Sequence, residues 1–146
     1  MTSIFSRIVR GEMPAERLFE TEHELAFLDI RPKAPGHTLV VPKLEVAAFE
    51  ALPPERAASL AATLQTMARG VMRAMGTRHY NLVLNNGERA GQVVFHVHFH
   101  IIPRYEGDPF LERGPSRSLP EVAARIRAAL RALPQPERVP GQVPED

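Results

Sequence analysis

Apolar residues recur along this chain at two periods, and the changes between them mark out its elements. Ile4, Phe5, Ile8 and Val9 fall at helical spacing, which predicts a short amphipathic helix from Ser3 to Val9 ending near Gly11. Arg17 to Glu20 and Leu25 to Leu28 are short runs split by a polar cluster and read as a hairpin. Pro32, Pro35 and Gly36 then interrupt the chain before Thr38 to Val41, a stretch apolar and β-branched enough for a buried strand, with His37 delivered to its start. From Pro53 the period becomes helical: Leu60, Leu64, Met67, Val71 and Met75 share one stripe, and Gly76 is placed to end the helix. Tyr80 to Leu84 follows as a strand, Asn85-Asn86-Gly87 is a turn signal, and Val93 to Ile102 reads as the returning strand before Pro103. Past a loop rich in Gly and Pro, Ser118 and Glu121 have capping-box spacing, and Val122, Ile126, Leu130 and Leu133 define a last amphipathic helix. Pro134, Pro136, Pro140 and Pro144 fall in a tail without apolar periodicity, so residues 1–133 are expected to form one domain and 134–146 a disordered extension.

Composition narrows the class. The chain has 146 residues, 44% hydrophobic and 24% charged, enough for one core and too few for two ordinary domains. Its net charge is +1 and the charges are scattered, which argues against a nucleic-acid surface while leaving a small anionic ligand open. Without cysteine there are no disulfides or thiolate metal sites. No run approaches the length of a membrane span, and the first eleven residues lack the apolar core of a signal peptide. A cytoplasmic protein with no membrane partner is the expectation.

The chemistry concentrates in His96-Val97-His98-Phe99-His100. In a strand, alternation puts Val94, His96, His98, His100 and Ile102 on one face and Val93, Phe95, Val97, Phe99 and Ile101 on the other. Burying the second set against the long helix is worth roughly 1.5–3 kcal/mol per side chain before entropy is subtracted, and fixes the register that presents the imidazoles. Three readings are open on spacing alone: the polar face of a half-exposed strand, a zinc site with three protein ligands and an open position, or nucleophilic catalysis by a neutral imidazole. Against zinc, the apparent fourth participant is another histidine, His37, and no carboxylate or cysteine accompanies the cluster.

FHVHFHII resembles the histidine triad, His-φ-His-φ-His-φ-φ with φ apolar, of the histidine-triad superfamily. AGQ (Ala90 to Gln92) precedes it as in that family, PGHTLVVPK (Pro35 to Lys43) resembles a second block, and SIFSRIVRGEMPAERLFE followed by LAFLDIRPKAPGH is similar in order and spacing to the Hint branch. The resemblance runs from Ser3 to Arg104. It implies an α+β fold: a five-stranded antiparallel sheet with one long helix, a short N-terminal helix and a C-terminal helix, the nucleotide site lying on the face away from the long helix.

It also implies roles. The middle histidine, His98, would attack the α-phosphorus of a purine nucleotide through Nε2, forming a nucleotidyl-histidine that water hydrolyses. His100 would contact the phosphate or assist the leaving group, and His96 and His37 would orient and tune the cluster. Clustered imidazoles lower one another's proton affinity, which keeps the nucleophile neutral. Asn85, Gln92 and Val93 match the phosphate side, Asp29 the ribose contact, and Ile4, Phe5, Ile8, Ile30 and Leu39 the positions around the base. No cofactor is implied, and the resemblance implies a homodimer whose sheets join, covering an edge. Without the resemblance, the five apolar residues would read as core and Asn86-Gly87 as a turn. His23 and His79 read as ordinary positions outside the motif, and Arg104, directly after the triad strand, reads either as a solvated strand end or as a cation within reach of a leaving polyphosphate.

Departures bear on activity. Val93 stands where many members have Ser or Thr, so a hydroxyl contact to phosphate is lost. Ser3 and Ser6 occupy the place of a Cys-x-x-Cys that binds structural zinc in some bacterial relatives, and Glu45 stands where a further histidine is common, so no structural metal is expected. The implied activity is hydrolysis or transfer on purine nucleoside 5′-phosphoramidates. Dinucleoside polyphosphate hydrolysis, a nucleotide-binding regulatory module with little turnover, and metal-dependent hydrolysis are the rivals.

Overall fold

The computed structural model describes residues 2–107 and 118–134. The expected disordered tail, apart from its first residue, and most of the Gly/Pro-rich loop lie outside the described residues. The elements follow as α1 (Ile4–Val9), β1 (Arg17–Glu20), β2 (Glu24–Leu28), β3 (Thr38–Pro42), α2 (Pro54–Met75), β4 (His79–Leu84), β5 (Phe99–Arg104) and α3 (Leu119–Ala132). The strands form one antiparallel sheet in the order β1-β2-β3-β5-β4.

Strand alternation divides the apolar side chains between two layers. Ala26, Leu28, Val40 and Ile101 face Leu60, Leu64, Met67 and Val71 of α2, with Val122 and Ile126 of α3 in the same core. Leu25, Phe27, Leu39 and Val41 point the other way and are covered by Phe5 and Ile8 of α1. The six-residue α1 is too short to be stable alone and is fixed at both ends. Ser3 caps its N-terminus by accepting from Ser6 N–H, and Arg17 Nη1 donates to Ile8 O at its C-terminus (2.6 Å). Gly76 closes α2 at φ +70°, as its position after the apolar stripe predicts.

Two glycines permit close approach. At Gly36 a Cβ would sit 2.7 Å from Met75 Cγ, and its φ of +87° already disfavours a side chain. That turn brings His37 to the start of β3. At Gly70 a side chain would collide with Leu130, so α3 crosses α2 there. The carboxylate of fully buried Glu24 ties β2 to α2, accepting from Thr21 Oγ1, Ser59 Oγ and Thr63 Oγ1 at 2.9, 2.8 and 2.5 Å. Three hydroxyl donors stand in for water around this charge.

Two expectations need correction. Regular β5 begins at Phe99, not Val93: the preceding segment bends, leaving Val93 83% and Phe95 54% exposed rather than packed on α2. The period-two pattern persists through Val93 and Phe95 without a neighbouring strand to pair with, since ladder partners on β3 and β4 start at Phe99. Ser118 is the N-cap residue of α3 but makes no side-chain cap bond, and Pro120 within the first turn needs no N–H partner.

Candidate active site

Four imidazoles meet on the α1 side of the sheet. His96 and His98 stand in the bend before β5, His100 on β5 itself, and His37 at the head of β3, where its carbonyl accepts from Asp29 N–H (3.0 Å). His37, His96 and His98 are buried and His100 half-buried. Because the bend lacks ladder pairing, other bonds hold it: Val97 N–H donates to Val46 O (2.8 Å), and His96 Nε2 reaches Pro42 O (2.7 Å).

The partners settle which nitrogen carries each proton, since a carbonyl only accepts and a backbone N–H only donates. His96 Nε2 donates to Pro42 O, leaving Nδ1 as a lone pair that accepts from Ser3 Oγ–H (2.6 Å). His98 Nδ1 donates to the carbonyl of His96 (2.8 Å), which leaves Nε2 as its lone pair. His37 Nδ1 accepts from Lys33 N–H (3.0 Å), so its proton sits on Nε2 and is donated to His100 Nδ1 (2.9 Å). The proton of His100 is thereby on Nε2. The rings that carry the lone pair of His98 and the N–H of His100 are adjacent, with centroids 5.1 Å apart. Phe5 of α1 lies edge-on to His98 (4.8 Å) and His96 (5.9 Å), an apolar wall against both.

The electrostatics keep the supporting rings neutral. Burial pushes His37 down to about 4, with the Lys33 and Arg104 cations adding to the effect. Burial likewise pushes His100 to about 4, and the neighbouring His37 and His98 oppose its protonation while Asp29 favours it. His96 is lowered by burial against the opposing pull of its Pro42 bond and Glu45. The mutual effect expected from the sequence is present, but desolvation is the larger cause.

Other expected residues fall as follows. Asp29 joins the cluster, which corrects the expectation that no carboxylate accompanies the histidines: Oδ1 accepts from Arg31 N–H (2.8 Å) and Oδ2 lies 3.6 Å from His37 Nε2. Phe5, Ile8 and Leu39 are buried on this face, whereas Ile4 (42%) and Ile30 (74%) remain exposed. Asn85 borders the glycine turn at Gly91, and Gly87 and Gly91 both have positive φ. Asn86 anchors that loop by accepting from Phe49 N–H (2.7 Å). Gln92 is buried and turned inward, donating to Ala47 O and Val94 O and accepting from Gly87 N–H. Its amide builds the loop, which corrects the expectation that this side chain is presented to a ligand. An open hollow of about 620 Å³ near the end of α2, lined by Arg73, Arg78, His79 and Tyr105 among others, contains none of the triad side chains.

One ligand atom from each of Asp29, His37 and His100 lies within 4.8 Å of the others, a set able to hold a metal ion. An ion there would take the His100 Nδ1 lone pair and displace the His37 proton, so it would compete with the tautomer chain. At the other end of the cluster, Ser3, Ser6, Glu45 and His96 satisfy one another. Glu45 Oε1 accepts from Ser3 N–H (2.6 Å) and Ser6 Oγ–H (2.7 Å), and these donors hold its carboxyl at about 2. The sequence flags Ser3, Ser6 and Glu45 only as standing where zinc ligands are found in relatives; their bonds to one another and to His96 require α1 to be docked.

A family model for the HIT domain matches residues 10–107. The chain is 50% identical over 105 residues to an uncharacterised HIT-like protein of Methanocaldococcus jannaschii, covering 72% of this chain and 81% of that one. It is 44% identical over 104 residues to an adenosine 5′-monophosphoramidase of Schizosaccharomyces pombe, covering 71% and 75%. An adenylylsulfatase of Arabidopsis thaliana is 41% identical over 105 residues, covering 72% of this chain and 53% of that protein. Among solved structures, a zinc-bound histidine triad family protein from Mycobacterium smegmatis superposes with a TM-score of 0.81 at 41% identity, covering 90% of this chain and 94% of that one.

The neutral, buried imidazoles make a stability prediction. His37 and His100 bind protons in the unfolded chain below about pH 6.5 but in the fold only near 4, so stability is full above 6.5 and declines as pH falls toward 4. Urea midpoints at pH 7.5, 6.0 and 5.0 should therefore fall progressively, and less steeply in His37→Gln, which removes one of these groups. Midpoints unchanged between pH 7.5 and 5.0 would contradict the assignment.

Proposed function

This chain belongs to the histidine-triad (HIT) domain family, and from that premise we propose that it hydrolyses or transfers nucleotides at the α-phosphorus of purine nucleoside 5′-phosphoramidates or related nucleotidyl compounds, with His98 as the nucleophile. The observation that carries the reading is the tautomer of His98: its Nδ1 proton is committed to the His96 carbonyl at 2.8 Å, so the lone pair is on Nε2.

In the first step Nε2 bonds to phosphorus and the P–N bond to the leaving amine breaks. The amine departs with a proton from solvent, because neutral His100, pushed to about 4, serves as a hydrogen-bond donor rather than an acid near pH 7. Its Nε2–H would steady the phosphoryl oxygens or the departing group. Water then bonds through oxygen to phosphorus and gives up a proton to solvent as the Nε2–P bond breaks, which releases the nucleoside monophosphate and returns the lone pair to His98. Asp29, half-buried beside His37, is the carboxylate for the ribose hydroxyls. Ile4, Ile30, Phe5, Ile8 and Leu39 would flank the base, and backbone around Asn85 and Val93 would receive the phosphate.

A second reading, a nucleotide-binding regulatory module of low turnover, is favoured by two features of the phosphate side. Val93 has no hydroxyl to offer, and the Gln92 amide is spent inside the loop. Assays with an adenosine phosphoramidate and a dinucleoside polyphosphate, each with and without chelator, separate the readings. We expect chelator-insensitive turnover of the phosphoramidate, and in His98→Ala a loss of about a thousandfold or more with adenosine monophosphate binding kept within a fewfold. Tight monophosphate binding without turnover would favour the regulatory module, and loss on chelation would favour a metal enzyme.

A homodimer is part of the same proposal. β1 is covered at its edge by α3, where Arg127 Nε donates to Arg17 O (2.7 Å), whereas β4 ends the sheet with Tyr80 43% and Leu82 50% exposed. A second copy across β4 would cover that edge. Leu82→Glu should shift the sedimenting species from dimer to monomer. A monomeric wild-type protein at micromolar concentration would rule the dimer out. Among the described residues no helix is long and apolar enough to cross a membrane.

A further inference from the structure

Seen from His98, the nearest determinant of its tautomer is not a side chain but the carbonyl of residue 96, which receives the Nδ1 proton. That carbonyl belongs to the bend before β5, outside the strand ladder. Residue 96 is held by the Val97 N–H bond to Val46 O, which fixes the peptide unit that carries this carbonyl, and by its own ring, tied at both nitrogens: Nε2–H to Pro42 O on β3 and Nδ1 to Ser3 Oγ on the cap of α1.

Ser3 joins two tasks in one hydroxyl. Its oxygen accepts from Ser6 N–H (3.0 Å) as the helix cap, while its proton goes to His96 Nδ1 (2.6 Å). The orientation that allows both is fixed from behind. Glu45 Oε1 takes the backbone N–H of Ser3 and the hydroxyl of Ser6, so the Ser6 proton is committed away from His96, whose Nδ1 is 3.4 Å from Ser6 Oγ. The same docking sets Phe5, two residues into α1, edge-on against the His98 ring.

We propose that Ser3 and Glu45 are positioning residues for the nucleophile, acting through His96: a closed Glu45–Ser3–His96–Pro42 hydrogen-bond chain fixes the residue whose carbonyl orients His98. The chain forms from hydroxyl, carboxylate and imidazole groups that satisfy one another, and it makes the docking of α1 a condition for correct presentation of His98 Nε2. This rests on His98 as the attacking residue, but the tautomer it requires at His96 can be read independently of activity.

The test pairs site-assigned histidine ¹⁵N NMR with kinetics. In the wild-type protein near pH 7, His96 should show an unprotonated Nδ1 and a protonated Nε2. Ser3→Asp keeps an acceptor for Ser6 N–H but, ionised, offers His96 no proton. It should leave the fold intact by thermal melting, move a proton onto His96 Nδ1, and lower kcat on the phosphoramidate about tenfold with KM within about twofold. Ser3→Thr, which retains cap and donor, should restore kcat to within about threefold of wild type and the wild-type His96 signature. If Ser3→Asp fails to fold, Glu45→Ala at the exposed end of the chain should lower kcat in the same direction and shift the His96 Nδ1 resonance toward that of a lone pair with a weakened donor, without adding a proton there, because Glu45 favours protonation of His96. A protonated Nδ1 in the wild type, or wild-type kcat and His96 spectrum in these variants, would overturn the proposal. Absent turnover in the wild type would instead count against the function, with the His96 spectra still deciding the positioning chain.

Discussion

The hydrogen bond from His98 Nδ1–H to the carbonyl of His96, 2.8 Å long, is the constraint on which the site depends. An imidazole has one proton when neutral, so committing it on one side determines where the lone pair lies. A backbone carbonyl is a partner that cannot reverse the roles. The neighbouring histidines follow the same logic from another fixed point, the Lys33 N–H, which orders the protons of His37 and then His100. Two backbone groups thus set the donors and acceptors of three rings. Desolvation maintains the arrangement by keeping His37, His96 and His100 from taking second protons near neutral pH.

Burying these rings requires apolar cover on both faces of the sheet. The α2 and α3 side supplies the larger core and holds Val97 and Ile101, the residues between and beyond the histidines. The opposite side is thinner, and α1 completes it with Phe5 and Ile8. Without that short helix the His96 and His98 rings would lose their aromatic wall and regain solvent. The N-terminal segment thus links packing to chemistry.

Much of this was legible in the sequence because it rests on local period and punctuation. The stripe from Leu60 to Met75 with Gly76 behind it produced α2 to within a residue, and the runs at Arg17 and Leu25 produced the first hairpin. The triad spacing singled out His96, His98 and His100, and the resemblance around Pro35 to Lys43 brought in His37, more than fifty residues away. The start of β5 was less accessible, since Val93 and Phe95 fit the alternation equally well whether or not a partner strand lies beside them. The resemblance implied Nε2 as the free nitrogen of His98, but which nitrogen carries the proton of His37, His96 and His100 was beyond reach, because it depends on Pro42, Lys33 and Ser3 being close in space. The inward turn of Gln92 is of the same kind: its partners, Ala47 O and Gly87 N–H, come from separate segments of the folded chain.

The central claim is that Nε2 of His98 forms the bond to phosphorus, and direct capture of that bond tests it. A wild-type reaction with an adenosine phosphoramidate, quenched rapidly and kept at alkaline pH where a phosphorus–nitrogen bond to histidine survives, would be digested and read by fragment-ion mass spectrometry. The account predicts one adenylyl group on His98 and none on the adjacent histidines. Label on His96 or His100, or turnover with no labelled histidine at any quench time, would contradict it.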